Sequence, residues 1–266
     1  MVVPLDRERL LAAVERSPQA AGAHDRAGWV ALFTDDGRVE DPVGSRPHVG
    51  HEQIGRFYDT FIGPRDIKFH RDIDIVFGTT VLRDLELEVA MGPDVTMYIP
   101  AFLRYDLREA NGQWLIGELR AYWELPAMMA QFLRTGAGAV TPALRLSTGL
   151  LTNQGWRGTA GFMAGFRRVG ARHQGLVRRF FAAVARGDTI AAAGALSSGA
   201  AISLGDRDPL ELAELVEQLN GAGATKMNSA GPTVAVSINS GHGRAIMFAD
   251  VAWRGDAINR IRYFPG

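Results

Sequence analysis

At 266 residues the chain has room for two domains of ordinary size, and its 47% hydrophobic fraction supplies apolar material for a core in each. The 29 basic and 29 acidic residues cancel, which removes any general electrostatic case for a nucleic-acid partner. Cysteine is absent, so a disulfide framework, a thiolate nucleophile and a Cys-ligated metal are excluded.

The opening residues, MVVPLDRERLLAAV, meet charges at Asp6, Arg7 and Glu8 before an apolar run of signal-peptide length builds up. No run approaches the roughly 18 uninterrupted apolar residues of a membrane-spanning helix, and a cytoplasmic location is expected. Leu10, Leu11 and Val14, then Trp29, Val30, Leu32 and Phe33, recur at helical spacing around a polar and small patch from Ser17 to Asp25. Two helices with a break between them are predicted. In the next stretch, DDGRVEDPVGSRPHVGHEQIGRFY, Val39 and Asp41 share one face of a short extended segment, and Pro42 ends regular pairing. Gly44 and Pro47 keep the following loop open, after which Ile54, Phe57, Tyr58 and Phe61 mark one face of a helix. Extended segments follow at Ile67–Ile75, Thr79–Ala90, Thr96–Arg108 and Trp114–Trp123, separated by the turn signals Gly78, Gly92-Pro93 and Asn111-Gly112. Helices first and antiparallel strands after give an α+β fold class, with a curved sheet over helices forming a cone open at one end.

The segment DDGRVEDPVG, followed by G-x-E-Q-I-x-x-F-Y and much later by RAYW, resembles bacterial ketosteroid isomerase over residues 7 to 125. The resemblance implies that Asp41 is the general base, that Tyr58 supports its hydrogen-bond network, and that Trp123 lines the substrate pocket. Phe33 and Phe57 would shape that pocket together with Met97, Ile99 and Ala101 of the third extended segment. No cofactor and no metal are implied; His70 with Asp72 lacks the further ligands a metal site needs. Members of that family stabilise the developing dienolate with a Tyr on the first helix and a protonated Asp on this segment. Here Ser17 and Ala101 stand at those positions. Tyr58, Tyr122, Trp123, His51 and Ser17 are the alternative donors. Asp66, Asp72 and Asp74 would matter if the chain were an epoxide hydrolase or cyclase of the same fold, since that chemistry needs a second acid facing Asp41.

Between Glu124 and Asp188 there is no acidic residue but nine arginines, in a segment rich in Leu, Met and Phe. Short amphipathic helices are expected there, reaching over the mouth of the cone, paired with acids elsewhere or touching an anionic membrane surface. A faint internal repeat then appears. Asp25-RAGWVALF and Asp188-TIAAAGALS both follow a helix, strands recur at Thr233–Asn239, Arg244–Arg254 and Ala257–Phe264, and INRIRYF echoes IGELRAYW. Leu204 falls where Asp41 does, so the second copy lacks the base unless Asp206 or Asp208 shifts into its place.

The expected organisation is therefore a competent cone at 1–126, an Arg-rich helical linker at 127–170 and a smaller, degenerate cone at 171–266, paired as an intramolecular pseudo-dimer or a homodimer. The activity expected is double-bond isomerisation of a bulky apolar carbonyl compound such as a steroid. The rival expectation is a protein that binds a steroid, polyketide or lipid unchanged.

Overall fold

A computed structural model of the chain describes residues 7–92, 95–134, 170–253 and 256–266. Its contacts divide into two units, 1–167 and 168–266.

In the first unit, helices α1 (Arg7–Gly22) and α2 (Arg26–Ala31) precede strand β1 (Phe33–Glu40), the short β2 (His48–Val49) and helix α3 (Gly50–Phe57). A π-helical turn, Tyr58–Ile62, extends α3 into β3 (Asp66–Phe77). Strands β4 (Thr80–Gly92), β5 (Val95–Ala110) and β6 (Gln113–Tyr122) complete the sheet, and α4 (Leu125–Arg134) follows. The sheet order is β2-β1-β6-β5-β4-β3.

The break expected from Ser17 onward comes later. Leu10, Ala13, Val14, Ser17 and Ala21 form one buried face, and the packing of that face carries α1 through Pro18. His24, at a φ of 54°, ends it, and Asp25 then caps α2 by accepting from the Gly28 amide at 2.8 Å. The expected antiparallel sheet is in fact mixed, because β1 pairs parallel with β6. A strand fed by a helix has no hairpin turn to reverse it against its neighbour. The β3–β6 strands form an antiparallel meander, and Asn111 and Gly112, both at positive φ, make its last two-residue turn.

The core of this unit lies between the sheet and the helices, built on Trp29, Phe33, Val39, Ile54, Leu85, Leu103 and Leu119. One buried charge is embedded beneath α1. Arg83, 2% exposed, donates from Nε and Nη2 to the two oxygens of Asp74 at 2.7 and 2.9 Å, and from Nη2 to Glu15 at 2.8 Å.

The second unit repeats the plan. Helices α5 (Ala171–Ala185) and α6 (Thr189–Ala193) precede β7 (Leu196–Leu204), β8 (Asp208–Pro209) and α7 (Leu212–Gln218). Strands β9 (Gly223–Ala230), β10 (Thr233–Ser240), β11 (Gly243–Val251) and β12 (Ile258–Pro265) follow, in the order β8-β7-β12-β11-β10-β9. Side chains repeat as well as strands. Asp188 caps α6 as Asp25 caps α2, and the Thr80–Asp106 hydrogen bond at 2.7 Å has its counterpart in Thr233–Asp250 at 2.6 Å. Both units are α+β, and the meander strands β9 to β12 of the second are shorter than β3 to β6 of the first.

Removing Asp74 strands a guanidinium that is shielded from water. Asp74→Ala is expected to destabilise the first unit by about 3–5 kcal/mol, and Glu15→Ala, at a more exposed partner, by about 1 kcal/mol or less. Urea unfolding followed by a reporter in the first unit checks this; equal costs for the two variants would contradict it.

Candidate active site

Val39, the last inward side chain of β1, is fully buried, and Asp41 follows just past the strand end. The loop after it is tied down by the Val43 amide donating to the Ala121 carbonyl at 2.8 Å and the Gly44 amide donating to Glu40 Oε1 at 2.9 Å. Parallel pairing sets Glu40 beside Arg120, so β1 and β6 end at the same edge of the sheet. That brings Asp41 and Trp123 together, although 82 residues separate them: the indole Nε1 donates to Asp41 Oδ1 at 2.5 Å. Asp41 Oδ2 meets no donor among the described residues.

Both residues line a cavity of about 120 Å³ that opens to solvent. Its other walls are Phe57, Phe61, Ile62, Ile67, Leu87, Val89, Met91, Ile99 and Met128, with one cation, Arg65. Burial among these side chains pushes the Asp41 carboxyl up to about 6, and the indole hydrogen bond partly opposes that rise. The volume is below the roughly 150 Å³ of an engineered apolar cavity that takes up benzene, so the enclosed part holds at most one ring.

Among the expected site residues, Asp41, Trp123, Phe57 and Ile99 meet in this cavity. The other four lie elsewhere. Phe33 is packed into the core with its ring centroid 4.8 Å from that of Trp29, Met97 is buried under α4 with Val89 and Phe132, and Ala101 is fully buried on β5. The Tyr58 ring packs 5.6 Å from that of Trp29, and its buried hydroxyl has no hydrogen-bond partner among the described residues. Burial, with the carboxylates of Asp25 and Asp59, pushes that phenol up.

Ser17 is also a core residue, accepting from Trp29 Nε1 at 3.2 Å and bonded to the buried Tyr105. His51 is turned toward the Phe33 carbonyl at 2.9 Å. Of the candidate second acids, Asp66 bonds exposed His24 and Asp74 holds Arg83; neither they nor Asp72 lines the cavity. His70 is bonded to Glu88 at 2.8 Å.

Leu87, Val89 and Met91 were detectable in principle, because they alternate along β4. Met128 belongs to α4, the first turns of the segment expected to act as a linker. That helix packs on the rim of the sheet through Met128, Met129 and Phe132, and Gln131 accepts from the Tyr98 amide at 3.2 Å. The rest of the segment, 135–169, lies outside the described residues, and among those described no helix is long and apolar enough to cross a membrane. Arg65 carried no signal in the sequence, lying between a Gly-Pro turn and a strand of alternating charges.

In the second unit Ser203 pairs with Arg262 as Glu40 pairs with Arg120, and Leu204 follows where Asp41 would stand. Leu204 packs on the core. Asp206 lies 3.9 Å from the Arg262 guanidinium, and Asp208 is exposed, so neither takes the place of the base.

The architecture defines a cone with an acid at the end of its first strand, and residues 14–115 match the family model of the SnoaL-like domain. That stretch is similar to the SnoaL-like domain and is less than half of the chain. Three similar solved structures match over about half of the present chain. They are RV0760c from Mycobacterium tuberculosis (28% identity, 44% of this chain and 92% of that one, TM-score 0.41) and the Δ5-3-ketosteroid isomerase from Mycobacterium sp. (29%, 45% and 96%, 0.41). The third is an LEH-like epoxide hydrolase from M. tuberculosis (20%, 51% and 97%, 0.42).

The raised Asp41 pKa has a consequence for stability. Below about pH 4 the carboxyl is protonated folded and unfolded, so it contributes nothing. Between the ordinary value of 3.8 and about 6 the folded chain holds a proton that the unfolded chain has released, so stability falls as pH rises. Above pH 6 the full penalty, on the order of 3 kcal/mol, is present. Asp41→Asn keeps the acceptor for Trp123 and removes the charge, so its stability relative to the parent is expected to increase between pH 4 and pH 7 and to level off above. A flat difference across that range in paired denaturation curves would contradict the burial of this carboxylate.

Proposed function

We propose that the first unit is a proton-transfer catalyst of the ketosteroid-isomerase kind, with Asp41 as its general base. The observation that carries this reading is a desolvated carboxylate, titrating at about 6, in a cavity whose other walls are almost wholly apolar. Such a base is ionised at neutral pH yet basic enough to take a proton from carbon next to a carbonyl. Trp123 holds one oxygen and fixes the carboxylate plane, leaving the other oxygen to accept the proton. Returning that proton to a different carbon of the same conjugated system moves the double bond and needs no redox partner.

The cavity volume favours a substrate that presents one ring or one chain segment to Asp41, with the remainder of a larger skeleton in the mouth. A second reading is supported by the walls themselves. Leu87, Val89 and Ile99 offer no hydrogen-bond donor, and Ser17 and Ala101 serve the core, which suits a protein that binds an apolar ligand unchanged. The hydrolase reading has less support, because no second acid lines the cavity among the described residues.

Incubation with β,γ-unsaturated ketones, monocyclic and steroidal, followed by ultraviolet absorbance of the conjugated enone, tests the proposal. Asp41→Asn is expected to lower kcat/KM by about 10²–10⁴-fold. Binding without rearranged product would leave the carrier reading. For an active enzyme, kcat/KM should rise with pH to a plateau above about 6. Trp123→Phe removes the hydrogen bond that lowers the Asp41 pKa, so the rising limb should move to higher pH; a shift to lower pH would contradict the assigned role of the indole.

A further inference from the structure

Arg65 is the one lining residue of this cavity whose side chain is cationic. It immediately precedes β3, and its guanidinium is held by protein on two sides. Nη1 donates to the Thr60 and Phe61 carbonyls at 2.7 and 2.8 Å, at the end of the π-helical turn, and Nε donates to Met91 Sδ at 3.3 Å. Nη2 meets no acceptor among the described residues. Three other shielded arginines of this unit are neutralised, Arg83 by Asp74, Arg104 by Asp106 and Arg120 by Glu118, whereas Arg16 meets only the Trp114 carbonyl among the described residues, outside this cavity. Arg65 has no carboxylate within ion-pair distance among the described residues, although burial lowers its pKa. A desolvated guanidinium without a counter-charge is costly to keep, and a fork with a free edge suits a carboxylate.

Its position relative to Asp41 follows from topology. Asp41 leaves β1 and Arg65 enters β3, with β6, β5 and β4 lying between those strands. The registers add a second displacement. Ile67 pairs with Val89 and Val89 with Met97, whereas the end of β6 reaches Phe102 through Tyr122, which sets Trp123 level with Ala101. From Met97 to Ala101 is four residues of β5, or about 13 Å. The acid and the cation are therefore offset along the sheet, and Leu87, Val89 and Ile99 line the cavity they share.

We propose that Arg65 binds an anionic oxygen of the ligand, so that this pocket takes slim apolar acids: a ring or chain beside Asp41 and Trp123 with a carboxylate at the far end. The inference rests on this cavity being the substrate site and specifies its substrate class. The guanidinium adds binding energy and orientation at the end remote from the base, and the enolisable position of the ligand is thereby set against Asp41.

Titration calorimetry on the full chain at pH 8, with ω-phenyloctanoate and its primary amide as probes, tests it. The parent protein is expected to bind the carboxylate about tenfold more tightly than the amide. Arg65→Met should bring the two within about twofold, while Arg65→Lys keeps the sign of the preference. Equal affinities in the parent protein, no binding of either probe, or a preference that survives Arg65→Met would each overturn the inference. Should Arg65→Met fail to fold for want of its two carbonyl contacts, the parent comparison and Arg65→Lys still decide. Asp41→Asn separates this from the proposed catalysis. A carboxylate preference retained in Asp41→Asn and lost in Arg65→Met supports anion binding whether or not Asp41 is the base. Lost turnover in Asp41→Asn, with a preference indifferent to Arg65, leaves the base and removes the anion site.

Discussion

The parallel pairing of β1 with β6 is the constraint on which the site depends. Two adjacent strands running in one direction finish at the same edge, and here the residues just beyond the two ends are Asp41 and Trp123. An antiparallel β1 would have put the acid at the opposite edge from the indole. The direction follows from connectivity: β1 is delivered by α2 and left through a loop to α3, while the meander from β3 to β6 sets the direction of its neighbour. The Val43 amide bonded to the Ala121 carbonyl extends the pairing past the strand and holds the acid's loop against β6.

From that edge the chemistry is a matter of what excludes water. The π-helical turn and the inward residues of β3 and β4 supply the walls, and α4 contributes Met128 at the rim. Desolvation then raises the Asp41 pKa while the indole N–H limits the rise. The same physics acts with opposite sign on His48, beside Phe57, where burial and the nearby Arg46 and Arg56 hold the imidazole at about 4 and so neutral. The second unit has the strand edge without the acid: its counterpart position is Leu204, partly buried and packed against the core. One plan thus carries an acid-lined cavity in one half and an apolar side chain at the matching position in the other.

Most of the elements were legible because they are local. The four segments predicted between residues 67 and 123 match β3 to β6 to within a few residues, since alternation and the Asn111-Gly112 turn are properties of neighbouring residues. The strand Gly223–Ala230 was not, because Gly-Ala-Thr-Lys shows no apolar alternation, has Thr225 as its single β-branched residue, and its pairing is imposed by β10. The continuity of α1 through Pro18 was likewise hidden, since packing of its buried face overrides a local breaker.

The sequence by itself determined the α+β order, the two-fold repetition and the acid at residue 41, because composition, periodicity and a short motif are written in consecutive residues. Only the tertiary structure decided which side chains share the cavity with that acid. It placed Phe33, Met97, Ala101, Tyr58 and Ser17 in buried positions, and it brought in Leu87, Val89 and Met91 from β4, Met128 from α4 and Arg65 from the turn before β3. The reason is geometric. A cavity wall is set by strand order, register and direction, which depend on pairings between residues far apart in the chain, and no local pattern encodes them.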